Sequence, residues 1–146
     1  MVDIRRLTQD DRTAWCAQRL LLWPGHSQAE FDAEVDQMLA NPDTPAFGAF
    51  EGKELIGFAE ASVRPYGDGC ETAPVAWLEG IYIAPAYRRH GLGRALVEAV
   101  ADWARERKLF ELGSDAAIYN TTSHLSHAGW GFEETERIVL FRRKLT

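Results

Sequence analysis

What the chain has little of narrows it first. It has two cysteines, Cys16 and Cys70, in 146 residues. That is too few for a disulfide-stapled scaffold and gives no zinc-site spacing, so both are read as free thiols of a reducing compartment. No apolar run approaches the roughly 20 residues that a membrane span needs. The opening Met1-Val-Asp-Ile-Arg-Arg-Leu lacks the apolar stretch of a signal peptide. A cytoplasmic protein without a membrane partner is therefore expected. Positive charge is also in deficit: 16 Lys and Arg against 22 Asp and Glu give a net charge of −6. This balance does not supply the basic face that binding to nucleic acid needs, and it suits a cationic partner. Repeats, low-complexity segments and linkers are absent, and the length fits one domain, residues 1–146.

What is there centres on residues 75–100. Val75 to Ala84 is an apolar, β-rich run broken only by Glu79 and Gly80, the pattern of a buried central strand with one local irregularity. Pro85 ends it. After Tyr87-Arg-Arg-His90, a helix opens at Gly91-Leu-Gly93 and continues with Leu92, Leu96, Ala99, Val100 and Trp103 at helical spacing. A strand turning through such a corner into a glycine-opened helix aims several backbone N–H groups at one point, where the helix dipole favours negative charge. That is a pyrophosphate cradle.

Elsewhere the pattern predicts a strand over Val2–Leu7 and a helix start at Thr8 with Asp10 and Asp11. A first helix carries Trp15, Ala17, Leu21 and Leu22 and is broken at Pro24-Gly25. Ser27 and Glu30 have capping-box spacing ahead of a second helix with Phe31, Val35, Met38 and Leu39. Strands over 46–51 and 55–63 form a hairpin about Gly52, and residues 64–74 form a long loop able to line a site. The third helix spans about 91–108. A fifth strand is expected over 110–116, a fourth helix over 120–128, and a strand-rich tail over 132–145 with the apolar run Ile138 to Phe141. The class is mixed α/β.

Arg88-x-x-Gly91-x-Gly93 after a strand resembles the acetyl-coenzyme A signature of the GNAT superfamily of N-acetyltransferases, and the element order is the one that fold has. Four further blocks resemble the bacterial aminoglycoside 6′-N-acetyltransferases: Leu22-Trp-Pro-Gly-His26, Leu78-Glu-Gly-Ile81, Ser114-Asp115 and Gly131-Phe-Glu-Glu-Thr-Glu-Arg137. The resemblance implies a GNAT fold with a mixed central sheet flanked by helices. It further implies acetyl transfer from acetyl-coenzyme A to the 6′-amine of an aminoglycoside, hence antibiotic resistance, by a cytoplasmic homodimer without a metal.

By the same resemblance, the backbone of Ile81, Tyr82 and Ile83 meets the pantetheine arm. Arg89, His90, Gly91, Leu92, Gly93 and Arg94 cradle the pyrophosphate, and Asn120 is a further cofactor contact. Trp23, His26, Tyr66, Glu79, Asp115 and Glu136 match substrate-holding positions. A polycation covered in hydroxyls does call for carboxylates and aromatic faces. Glu79 or Asp115 is the expected base, directly or through water, because a carboxylate-lined site favours the charged amine and the nucleophile must be neutral.

Each of these residues also has a plainer reading. Trp23 reads as a core aromatic, His26 and Tyr66 as surface loop residues, and Glu136 as part of a solvated face. Asp115 reads as a turn cap, Asn120 as an N-cap, and Glu79 as pointing outward from the sheet. Many GNAT enzymes have a tyrosine where this chain has His127, which is read as a core or cofactor-side residue rather than an acid. Two alternatives stay open: a GNAT acting on a polyamine or a protein N-terminus, and a non-catalytic acetyl-coenzyme A binding module. A dinucleotide-binding domain fits poorly, since the full Gly-x-Gly-x-x-Gly is lacking.

Overall fold

Five strands form one sheet in chain order: β1 (Val2–Arg6), β2 (Ala46–Glu51), β3 (Glu54–Arg64), β4 (Val75–Ile83) and β5 (Leu112–Gly113). The first four pair antiparallel, and β4 pairs with β5 in parallel. The computed structural model of the chain describes residues 1–146, as two units, Met1–Asp115 and Ala116–Thr146.

In the first unit, α1 (Arg12–Leu22) and α2 (Gln28–Ala40) bury Trp15, Cys16, Phe31 and Val35 against Leu7, Ala46, Phe50, Leu55 and Phe58. The helix starts are those the sequence marks. Asp11 accepts from the Thr8 N–H at 2.8 Å, and the Ser27 hydroxyl accepts from the Glu30 N–H at 3.1 Å. Ala59 and Ala61 alternate with Phe58 and Glu60 along β3 and so face the other side. There α3 (Leu92–Glu106) lays down Leu96, Val97, Val100, Trp103 and Ala104.

One buried polar group is not signalled by periodicity. Glu60, 2% exposed, accepts from Arg19 Nε at 2.8 Å, Arg19 Nη2 at 3.2 Å and Trp15 Nε1 at 2.8 Å. Arg19, 6% exposed, also donates to Glu34 at 2.8 Å. A buried carboxylate is tolerated because each of its oxygens has a donor and its charge has a partner.

The second unit holds α4 (Thr121–Gly129), capped by Asn120, whose Oδ1 accepts from the Ser123 N–H at 3.1 Å. Gly131, at φ +93°, ends it. The Phe132 N–H returns to the His127 carbonyl at 3.0 Å and the Gly131 N–H to that of Ala128 at 3.1 Å, a turn that needs the left-handed residue.

Two expectations are corrected. The expected strand over 110–116 shrinks to Leu112–Gly113, and the expected strand-rich tail carries no strand, residues 132–146 having no regular structure. The reason is the same in both cases. Apolar β-forming sequence is a local signal, whereas a strand exists only where another backbone accepts its N–H groups. Val139, Leu140 and Phe141 are accordingly 76, 84 and 92% exposed.

Replacing Arg19 with Met strands the Glu60 charge and should cost about 3 kcal/mol. Adding Glu60→Gln, which keeps an acceptor for Trp15 and removes the charge, should return part of that loss. Urea unfolding of the two variants measures it, and equal stability would show that the pair carries no coupling.

Candidate active site

β4 runs beside β5 for only two residues, Ala76 opposite Leu112 and Trp77 opposite Gly113. From Leu78 onward its far edge has no strand beside it. On the other side the register with β3 slips: Ala61 faces Leu78 while Glu60 faces Gly80, so Glu79 is the extra residue of a bulge. The bulge changes which backbone groups face the open edge. Before it, the Ala76 N–H points toward β5, bonding the Glu111 carbonyl at 3.0 Å. After it, the Ala84 N–H points toward β3, bonding the Ile56 carbonyl at 2.9 Å. Alternation then turns the backbone of Tyr82 toward β3 and that of Ile81 and Ile83 toward the open edge. The Ile83 carbonyl, on that edge, accepts from Arg88 Nε at 2.7 Å.

The strand leads through a short 3-10 turn, Pro85–Tyr87, into the start of α3. Arg89 at φ +68° and Gly91 at φ +81° both take left-handed backbone. No side chain caps the helix, and Ala95 is where bonding back begins, to the Gly91 carbonyl at 3.1 Å. The first turn from Leu92 through Gly93 to Arg94 thus presents N–H groups at a helix N-terminus, with exposed Arg89, His90 and Arg94 around it. Tyr87 lies beside the Glu51 carboxylate at the end of β2, which holds the phenol above its ordinary range.

The bulge also decides where Glu79 points. Its carboxylate receives Arg64 Nη2 at 2.7 Å and Nε at 2.9 Å, a bidentate pair, together with the Ser62 hydroxyl at 2.5 Å. The Arg64 guanidinium lies 4.4 Å from the Trp77 ring centre. It is held above its usual range first by the bond to Glu79, then by the charges of Glu79, Asp115 and Asp68. Asp115, two residues past β5, is thus within electrostatic reach of Arg64. The loop over 65–74, which carries exposed Tyr66, is fastened by Glu111. That carboxylate accepts from the Glu71 N–H at 2.8 Å and the Thr72 N–H at 2.6 Å, bonds that hold it below the usual range, Thr72 contributing most.

Trp23 caps α1. Its ring packs edge-on to Phe31 and Phe58, with centres 6.2 and 6.3 Å away, and covers Gly80: a Cβ there would lie 2.4 Å from the ring. Trp23 is thus a partly buried aromatic packed against the core, next to the residue that follows Glu79. Gly80 serves to admit this ring rather than to loosen the backbone. His26, on the following loop, stacks 5.0 Å from Phe31 and pairs with Glu30 at 3.3 Å.

Asn120, His127 and Glu136 lie in the second unit. The Asn120 side-chain oxygen is used as the α4 cap. His127 packs its ring 5.1 Å from Trp130 and 5.2 Å from Phe132. Its Nδ1 lies 2.7 Å from the Ser123 carbonyl, which fixes the proton on Nδ1 and makes Nε2 an acceptor in the neutral ring. Glu136 is exposed in the segment without regular structure.

Sequence reading missed Ser62, Arg64, Trp77 and Glu111. The one available signal was Arg64 lying two residues past Ser62 on the strand that pairs with Glu79's strand, and it is the pairing register of β3 with β4 that brings the three together. No group of three or more His, Cys, Asp or Glu converges as a metal site needs.

The model of the Acetyltransferase (GNAT) family matches residues 4–132. The chain is 43% identical over 139 residues to the aminoglycoside N(6′)-acetyltransferase type 1 of Serratia marcescens, across 93% of this chain and 94% of that one. It is 36% identical over 144 residues to the protein of the same name from Salmonella typhimurium, across 98% and 99%. Among solved structures it superposes with a TM-score of 0.95 and 36% identity, over 99% of both chains, on AAC(6′)-Iy in complex with the bisubstrate analog CoA-S-monomethyl-acetylneamine.

Gly80→Ala drives a methyl into the Trp23 ring and should cost about 1–3 kcal/mol. In a Trp23→Ala background the same change should cost much less. Thermal unfolding of the four-member cycle gives the coupling.

Proposed function

The chain belongs to the GNAT family of acetyltransferases, and from that premise we propose that it transfers the acetyl group of acetyl-coenzyme A to the 6′-amine of aminoglycosides, giving resistance. The observation that supports this most is the open edge of β4 running past the Glu79 corner: backbone groups for a thioester on one side, carboxylates for an ammonium on the other.

The residues present fit acetyl-coenzyme A. The outward backbone of Ile81 and Ile83 suits an extended amide-bearing arm, with Tyr82 between them, and the uncapped start of α3 suits two phosphates. In this reading Arg89, His90, Gly91, Leu92, Gly93 and Arg94 hold the pyrophosphate, and Asn120 adds a contact through its side-chain amide. When bound, the co-substrate supplies a thioester: a C–N bond forms as the C–S bond breaks, the electron pair leaves on sulfur, and the amine gives up one proton. The backbone N–H groups on the open edge of β4 polarise the acetyl carbonyl. Glu79 positions the ammonium while its oxygens stay toward Arg64 and Ser62. Asp115, or Glu79 through a water, takes the proton. Trp23, His26, Tyr66 and Glu136 are the remaining proposed substrate contacts.

We further propose that residues 1–146 act as one catalytic domain, since the family match runs from residue 4 to 132 and so crosses from the first unit into the second. The working form is a homodimer. The exposed run Ile138 to Phe141 is the feature that supports it, because large apolar side chains in such a row are seldom left in water. No helix is long and apolar enough to cross a membrane. A cytoplasmic site of action, without nucleic acid, agrees with the net charge of −6.

Acetyl-coenzyme A dependent thiol release with neomycin, which has a 6′-amine, and paromomycin, which has a 6′-hydroxyl, tests the reading. Turnover with the first and little with the second is expected. Glu79→Gln should lower that turnover on the order of 100-fold while leaving acetyl-coenzyme A affinity nearly unchanged. Equal rates on the two drugs would move the acetyl group to another amine, and turnover with neither would favour a polyamine substrate or a binding module.

Leu140→Asp with Phe141→Asp should convert a dimer in sedimentation equilibrium to a monomer. An unchanged mass would remove the tail from the interface.

A further inference from the structure

The corner that recognises a cation contains a cation of its own. Arg64 is bonded to Glu79 through two nitrogens and lies within electrostatic reach of Asp115 and Asp68. A site built only to attract a polycation gains nothing from a guanidinium there, since it offsets one of three negative charges. Nor does Arg64 fill a core, because its side chain is 40% exposed. Resting on the acetyl-transfer reading above, we propose that Arg64 loosens the substrate amine's hold on its proton: its fixed positive charge beside Glu79 disfavours the ammonium form of the amine that Glu79 positions, and the proton leaves to Asp115 or to water.

Opposite demands act on one nitrogen. Carboxylates bind the amine as an ammonium and thereby hold its proton, whereas attack on a thioester needs the lone pair. A positive charge a few ångströms from the same nitrogen shifts that balance back, and because it acts through the field it needs no contact with the substrate. The charged groups of this corner are Glu79 from β4 and Arg64 from β3, in contact, with Asp68 from the loop and Asp115 beyond β5 within electrostatic reach of Arg64. Glu60 on β3 and Arg19 on α1 neutralise one another in their own buried pair. Arg64 is the one cation in this set not taken up by a buried partner. Trp77, beneath the guanidinium at 4.4 Å, and the Ser62 hydroxyl keep the pair in register.

The test is the single-turnover rate of acetyl transfer to neomycin as a function of pH, with both substrates saturating, so that it reports the bound complex. In the wild type the rate rises as the bound amine loses its proton. Arg64→Gln should move that rise up by about one pH unit, a rate about ten-fold lower on the acid side. Drug affinity at pH 6 should be equal or tighter, because the site has become more negative. Arg64→Lys, which keeps the charge and loses the bidentate geometry, should restore the wild-type profile to within about two-fold. Arg64→Met, also neutral and long enough to cover Trp77, gives the same reading should the Gln variant fail to fold.

A structural role predicts the opposite pattern: weaker drug binding, an unmoved pH profile and no rescue by Lys. Either an unmoved profile in the neutral variants or failure of Lys to restore it overturns the proposal. The same assay on wild type separates the two levels of inference. Turnover of neomycin over paromomycin with an unmoved Arg64→Gln profile rejects the role of Arg64 alone, and absence of wild-type turnover rejects the acetyl-transfer reading and this inference with it.

Discussion

The site depends on an unpaired strand edge inside a folded sheet. After Trp77 the backbone of β4 continues for six residues with no strand on one side. Such an edge is unfavourable in a buried setting and open to wrong partners in an exposed one. Here it is only half buried, and part of it is occupied internally, because Arg88 bonds the Ile83 carbonyl from the start of the next corner. What is left over is a short row of backbone donors and acceptors with fixed spacing. The single extra residue at Glu79 sets its phase. Without that insertion the backbone of Tyr82 would face outward and that of Ile81 and Ile83 inward, and the side chains of these three residues would exchange faces of the sheet.

A bulge of this kind holds its place because both strands beside it are pinned. On β3 the residue opposite Gly80 is Glu60, whose buried bonds to Trp15 and Arg19 fix the strand to α1. Two and four residues later, Ser62 and Arg64 grip the bulged residue itself. From the helix end, Trp23 closes over Gly80 and lies 5.1 Å from the Arg19 guanidinium. The buried ion pair, the helix C-cap and the bulge are thus one connected device. This accounts for a charge pair in a core of a size that apolar residues alone can fill: it ties the position of α1 to the position of the bulge.

Much of this was legible in the sequence, and what was not shares a cause. Helix starts at Thr8 and Ser27, the hairpin at Gly52, the irregularity at Glu79-Gly80 and the helix opening at Gly91 are all local signals, and all appear within a residue or two of where they were read. The partner of Glu79 was not legible. Arg64 looks like the polar end of a strand, and only the slipped register shows that it faces a carboxylate fifteen residues on. The same holds for Glu111, whose bonds to residues 71 and 72 join segments forty residues apart. The tail misled for the converse reason. Its β-forming, apolar character is real, but pairing is a property of two backbones and the sequence states only one.

The charges of the site then allow a distinction among the nitrogens of a single polycation. Three carboxylates and one guanidinium leave the corner net negative, so at a distance it attracts every ammonium of the substrate alike. Close in, the sum no longer applies, because each nitrogen weighs the four charges by its own distances to them. An amine held at Glu79 lies beside Arg64 and loses much of the stabilisation that would keep it protonated. Amines held farther along, nearer Asp68 or Asp115 than Arg64, keep theirs. On the proposed reading, one fixed positive charge placed at one carboxylate would separate binding from reactivity within the same molecule: the protonated nitrogens would anchor it, and the nitrogen beside the guanidinium would be the one left with a lone pair facing the open edge of β4.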